Sequence, residues 1–156
     1  AALGARLGAD VPVFVHGQTA WAEGVGERLT PLGTAERDLV VLHPGVSVPT
    51  KEIFSAPELT RDTPLSRIPA FFDGGGHNDC LPAVLARYPE VGRAQAWLSA
   101  FGPAQLTGTG ACLFARMPSR SAAEACAAAV PKPWRAWAVR ALAESPERAE
   151  ANSTEA

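Results

Sequence analysis

The sequence predicts an α+β fold, an antiparallel sheet with helices on one face, running β-α-β-β-α-β from residue 39 onward. Three observations predict it. LVVLH at 39–43 is an unbroken apolar, β-branched run of strand length. QLTGTGACLFARM at 105–117 sets two apolar runs on either side of a glycine turn. Stretches with helical spacing, 78–101 and 119–130, separate these strands from each other and from a last strand at 134–142.

Taken in order, residues 1–8 are rich in Ala, Leu and Arg and read as helix. Pro12 is expected to end that helix by disfavouring the α region at Val11, leaving VPVFV (11–15) extended. QTAWAEG and ERLTPL read as two extended pieces joined by a turn at Gly24 and Gly26. GTAERD (33–38) is a polar connector and the expected domain boundary. After LVVLH, the loop PGVSVP leads to a short helix TKEIFS with Thr50 as its expected cap. PELTRDTPLSRIP reads as loop with one helical turn near 65–71, and GGG at 74–76 as a joint.

Asn78 is placed to cap a helix over 78–88, whose Pro82 falls in the tolerant first turn. Val91, Ala94, Trp97, Leu98 and Phe101 mark the apolar side of a helix over 90–101. SRSAAEACAAAV (119–130) is an alanine-rich helix, WRAWAVRAL (134–142) a strand, and the last dozen residues a solvated tail. The four tryptophans, Trp21, Trp97, Trp134 and Trp137, read as packing residues.

Composition narrows the functional classes. A chain of 156 residues, 47% apolar and 19% charged, can build a packed core. A formal net charge of −2 gives no broad cationic field for nucleic acid or an anionic membrane. No apolar run approaches the roughly 20 residues that span a bilayer. Cys80, Cys112 and Cys126 form no CxxC pair, and His16, His43 and His77 no HxxxH pair, so no metal site is expected. Cytoplasmic location is the expectation. The chain opens mid-helix without an initiator Met, which predicts a truncated N-terminus and leaves a leader upstream, plastid-directed included, an open question.

Three features have chemical potential. Asp10, between a helix end and Pro12, is a turn residue or a general base, and a base of this kind contributes about 10²–10⁴ in rate. Gly108 and Gly110 in TGTG allow a ligand to approach the backbone, or simply make a tight turn; the run lacks the Lys-Ser/Thr of a phosphate loop. Thr50 and Phe54 lie one helical turn apart, so both can face one side. An aromatic there can stack on a planar base, worth roughly 1–3 kcal/mol, or be core, with Thr50 only a cap.

LGADVPVF, AWAEGVGERLTPL, HPGVSVPTKEIF, NDC and LTGTGACLFA, in this order, resemble the C-terminal half of the GHMP kinases that act on 4-diphosphocytidyl-2-C-methyl-D-erythritol in non-mevalonate isoprenoid biosynthesis. The resemblance covers about residues 1–142. It implies ATP-dependent phosphorylation of the 2-hydroxyl of that cytidine-diphospho sugar alcohol, with ATP as co-substrate and Mg²⁺ accompanying it. It implies Asp10 as catalytic base, Thr50 and Phe54 as substrate-binding residues, and Gly108 and Gly110 as the active-site glycine turn. Asn78 and Asp79 match a family motif of structural role.

The resemblance also implies three parts: 1–34 as the edge of the N-terminal catalytic domain, 35–144 as a ferredoxin-like C-terminal domain, and 145–156 as a disordered tail. The paired lysine and the PxGxGLGGGSSDA-type phosphate loop of such kinases are not among these residues. The chain alone is therefore expected neither to bind ATP tightly nor to turn over. Two other readings stand beside this one: another GHMP small-molecule kinase, and a non-catalytic ferredoxin-like binding or dimerisation module.

Overall fold

The structure is a computed structural model that describes residues 4, 6–64 and 77–148. The chain divides into two compact units, residues 1–36 with 141–156, and residues 37–140.

In the first unit, helix α1 spans Val11–His16 and strands β1 (Ala20–Glu23) and β2 (Arg28–Pro31) form an antiparallel hairpin. The helix replaces the extended segment expected at 11–15. Pro12 opens a helix where it was expected to end one. It occupies the first turn, where a missing N–H breaks no helical bond and the fixed φ suits the helix. Gly17, at φ 68°, ends it with its N–H on Val13 O. The hairpin turn carries Gly24 and Gly26 at positive φ, and the Glu27 carboxylate accepts from the Val25 N–H at 2.7 Å.

Residues 145–148, expected in the tail, instead fold back within this unit. Ser145 N–H donates to Gly17 O at 2.8 Å, Thr19 N–H to Ala143 O at 3.2 Å, and the Arg148 guanidinium to His16 O. The open edge at 17–19 offers backbone groups that need partners, and these residues supply them.

The second unit holds strand β3 (Arg37–His43), helices α2 (Thr50–Phe54), α3 (Leu81–Arg87) and α4 (Pro89–Ser99), strands β4 (Ala104–Leu106) and β5 (Leu113–Arg116), helix α5 (Arg120–Ala128) and strand β6 (Arg135–Ala141). The sheet order is β4-β5-β3-β6, the ferredoxin-like arrangement in which the first and last strands of the unit are neighbours. β5 runs antiparallel to both β3, with Leu42 opposite Leu113, and β4, with Leu106 opposite Leu113.

Period-two alternation decides the buried face. Val40 and Leu42 of β3 and Leu113 and Ala115 of β5 share one core with Val91, Ala94 and Leu98 of α4 and Ala123 and Cys126 of α5. The helices thus cover one side of the sheet, as the α+β pattern predicts. Ser119 caps α5 by accepting from Ala122 N–H at 3.2 Å. Trp97 and Trp134 meet edge-on with centroids 6.2 Å apart. Trp137 departs from the packing expectation: it lies on the other side of β6 from Ala136 and Ala138, half exposed beneath the Arg135 guanidinium. The expected turn near 65–71 and the GGG joint fall outside the described residues.

Candidate functional site

The β4–β5 connection is the glycine turn. Thr107 N–H donates to Cys112 O and Gly110 N–H to Thr107 O, each at 3.0 Å. Gly108 and Gly110 have φ of 56° and 89°, a region that L side chains rarely adopt. The two glycines face different surroundings. A Cβ at Gly110 would lie 3.3 Å from Leu106 Cδ1 and 3.6 Å from Val84 Cγ1, against the core. One at Gly108 would meet nothing within 4 Å, so the apex of the turn is open to an approaching molecule.

Thr109, between the two glycines, connects this turn to α2. Its hydroxyl is 3.1 Å from that of Thr50. Thr50 is not the expected cap: Pro49 precedes the helix in extended conformation, and Thr50 is its first residue, with its hydroxyl directed to the turn. Along the same helix, Ile53 is fully buried while Phe54 is 57% exposed, so Phe54 is not the core residue it could have been. Arg61 holds the far end of the helix by donating to Phe54 O at 2.8 Å and to Ala56 O at 3.2 Å. From the other side, the Glu52 carboxylate accepts from Tyr88 O–H at 2.8 Å, which raises the phenol above its ordinary pKa of 10.0. α2 is thus anchored along its length, with one aromatic ring left in solvent.

Asn78, just before α3, supports the turn from the opposite side. Its amide donates to Leu106 O at 3.0 Å and to Gly108 O at 2.8 Å, and its Oδ1 accepts from Cys80 N–H at 2.9 Å. Asn78 is not the expected cap: the helix begins at Leu81 with Cys80 at the N-cap position, and the last bond closes a turn two residues before it. The first two bonds were not legible in the sequence. Asp79 accepts from Thr63 O–H at 2.7 Å and lies 2.8 Å from His77 Nε2. His77, Asn78, Asp79, Leu81 and Gln105 line a hollow of about 470 Å³.

Asp10 belongs to the first unit. It stands at the N-cap position of α1, exposed, and its carboxylate makes no capping hydrogen bond. Its backbone is confined: a Cβ at Gly26 would come within 2.3 Å of Ala9 O, so the hairpin turn packs directly on the residue before Asp10. The structure therefore brings Thr50, Gly108 and Gly110 into one bonded group that shares a helix with Phe54. Thr109 and the clamp by Asn78 are what sequence reading missed. The available signal was a polar residue between two glycines and an Asn spaced for a cap.

The fold of the second unit agrees with comparisons to known proteins. Residues 69–136 match the family model "GHMP kinases C terminal". The second unit thus has the fold of the GHMP kinase C-terminal domain.

Within that class it is similar to one particular enzyme. It is 54% identical over 145 residues to 4-diphosphocytidyl-2-C-methyl-D-erythritol kinase of Thiobacillus denitrificans, covering 93% of this chain and 52% of that protein. Against the protein of the same name from Alkalilimnicola ehrlichii, identity is 52% over 143 residues, 92% of this chain and 49% of the relative. A crystal structure of 4-(cytidine 5'-diphospho)-2C-methyl-D-erythritol kinase superposes with a TM-score of 0.72 at 34% identity, over 89% of this chain and 55% of that one. The chain spans about half the length of the curated relatives it matches.

Proposed function

We propose that this chain is the C-terminal part of a small-molecule kinase that transfers the γ-phosphoryl group of ATP to the 2-hydroxyl of 4-diphosphocytidyl-2-C-methyl-D-erythritol, in the bacterial cytoplasm. On this reading residues 1–34 are the edge of the catalytic domain and the unit 37–140 is the substrate-side domain. The observation that carries it is Phe54: an aromatic ring left 57% exposed on a helix otherwise pinned in place, beside a threonine hydroxyl tied to a glycine turn. Burying a phenyl ring is worth roughly 1.5–3 kcal/mol, so a ring held in solvent on a rigid helix is suited to a planar ligand such as cytosine. The similarity to kinases named for a cytidine-diphospho substrate supports the same reading.

Phosphoryl transfer asks a protein chiefly for positioning and charge stabilisation. The substrate hydroxyl oxygen attacks the γ-phosphorus, the bond from that phosphorus to the β–γ bridging oxygen breaks, and ADP leaves. Asp10 accepts the hydroxyl proton. Its carboxylate is free of capping bonds, so an acceptor lone pair is available. Thr50 and Phe54 hold the cytidine end, and the turn at Gly108 and Gly110 supports the site. The groups that cradle the ATP phosphates belong to the part of the relatives that this chain does not match. Mg²⁺ accompanies ATP as its counter-ion. Among the described residues no three His, Cys, Asp or Glu side chains converge to hold it.

The test is a chimaera that joins this chain behind the N-terminal half of the Thiobacillus denitrificans relative. It should phosphorylate the cytidine substrate, and Asp10→Asn should lower turnover by about 10²–10⁴. Undiminished turnover in Asp10→Asn would overturn the assignment of the base. A chimaera that folds, binds ATP and ignores the cytidine substrate would overturn the reading as a whole.

A further inference from the structure

We propose that Asn78 and Thr109 are positioning residues that lock the glycine turn to α2 and thereby fix how Thr50 presents its hydroxyl to the cytidine substrate. The inference rests on the reading above and adds two residues to it. Asn78 spends both amide hydrogens on carbonyls two residues apart, Leu106 O at the end of β4 and Gly108 O at the turn apex, and its oxygen on Cys80 N–H. A planar carboxamide with three such bonds has little capacity left for a ligand. Its effect is to set the path of the chain from β4 into Thr109.

Thr109 then reaches across to Thr50, 59 residues away in sequence. The turn's own backbone bonds, Gly110 to Thr107 and Thr107 to Cys112, shape the loop but do not tie it to α2. Of the bonds described here, the pair of hydroxyls makes that tie. Only one of two bonded hydroxyls can donate to the other. If Thr109 donates, Thr50 O–H is free to donate to a ligand; if Thr50 donates, both its lone pairs are offered. In both cases Thr50 no longer rotates freely, and the substrate meets a pre-oriented group. The open space above Gly108 keeps that group accessible.

The experiment uses the chimaeric kinase. Thr109→Val keeps the shape and removes the hydroxyl. It should raise KM for the cytidine substrate roughly threefold to tenfold, the worth of one hydrogen bond, and leave KM for ATP unmoved. Thr109→Ser should restore the parent value. Asn78→Asp keeps the acceptor toward Cys80 but sets a carboxylate against two carbonyl oxygens, and should raise the same KM at least as far. A purely structural role predicts a fall in thermal stability and a rise in both KM values together; that pattern would overturn the proposal. So would parent-like cytidine KM in Thr109→Val when Thr50→Val raises it. If Thr50→Val and Phe54→Ala both leave the cytidine KM unchanged, the functional reading fails and this inference with it. Where Asn78→Asp does not fold, Thr109 alone decides.

Discussion

The two units of this chain treat their apolar residues in opposite ways. Apart from Pro12, the large apolar side chains buried among the described residues lie between Val40 and Cys126, inside the unit 37–140. The other unit leaves Leu7, Phe14 and Val25 more than 70% exposed and Val15 nearly so. The difference follows from what each has to pack. The second unit has a four-stranded sheet with helices across one face, enough layers to enclose a core. The first has a two-stranded hairpin and a six-residue helix among its described residues, too little to enclose anything large. Exposure there reflects a shortage of layers, whereas Phe54 is exposed beside a filled core.

Truncating a buried and an exposed residue of similar size gives the largest expected contrast. Leu98 is fully buried on α4, and Leu98→Ala should destabilise the chain by about 2–5 kcal/mol in chemical denaturation. Phe14→Ala should change the same transition by no more than about 0.5 kcal/mol, because its ring contributes little buried area. Equal costs would mean that Phe14 is packed in solution, and the comparison would collapse.

Next in size is a contrast between two exposed phenylalanines. Phe54→Ala should weaken binding of the cytidine substrate to the chimaeric kinase by roughly 1–3 kcal/mol, measured by calorimetry, with the unfolding transition unmoved. Phe14→Ala should leave that affinity alone. A loss of stability in Phe54→Ala with unchanged affinity would return Phe54 to the role of a packing residue.

How much of this was legible in the sequence depends on whether local pattern or distant partners decide. The order of strands and helices from 39 to 141 follows from periodicity, because Val40, Leu42, Leu113 and Ala115 alternate with half-buried neighbours as a one-sided sheet requires. Pro12 misled because a proline that stops one helix can also start another, and it is Gly17 that closes the helix Pro12 opens. Residues 145–148 were invisible for a different reason: polar composition suggests tail, while their partners at 16–17 lie about 130 residues earlier. The site shows the same divide. Gly108, Gly110, Thr50 and Phe54 carry local signals. Asn78 meets Gly108, and Thr109 meets Thr50, only through tertiary structure.

Acid provides the smallest and most discriminating test of the two-unit comparison. In the unit 37–140, Glu58 is held below its ordinary pKa of 4.5 first by the hydrogen bond from Arg87. Glu90 is held below the same value first by Arg93 and then by Trp134 Nε1–H. In the other unit, backbone N–H groups, first its own and then that of Val25, lower Glu27. Each folded carboxyl has a lower pKa than the unfolded one, so the unfolded chain binds more protons on the way down. The stabilisation is fully present above 4.5 and is lost as pH falls through the folded values. The main thermal transition should therefore decline between about pH 5 and pH 3. Because all three groups are at the surface, each effect is small and weakened by salt. A Glu58→Gln, Glu90→Gln double variant should flatten the decline in the main transition. Glu27→Gln should leave it as it was, since among the described residues that carboxylate bonds within its own hairpin turn. Should Glu27→Gln flatten the main transition as much as the double variant does, the two units unfold as one cooperative body, and the difference in burial between them has no thermodynamic counterpart.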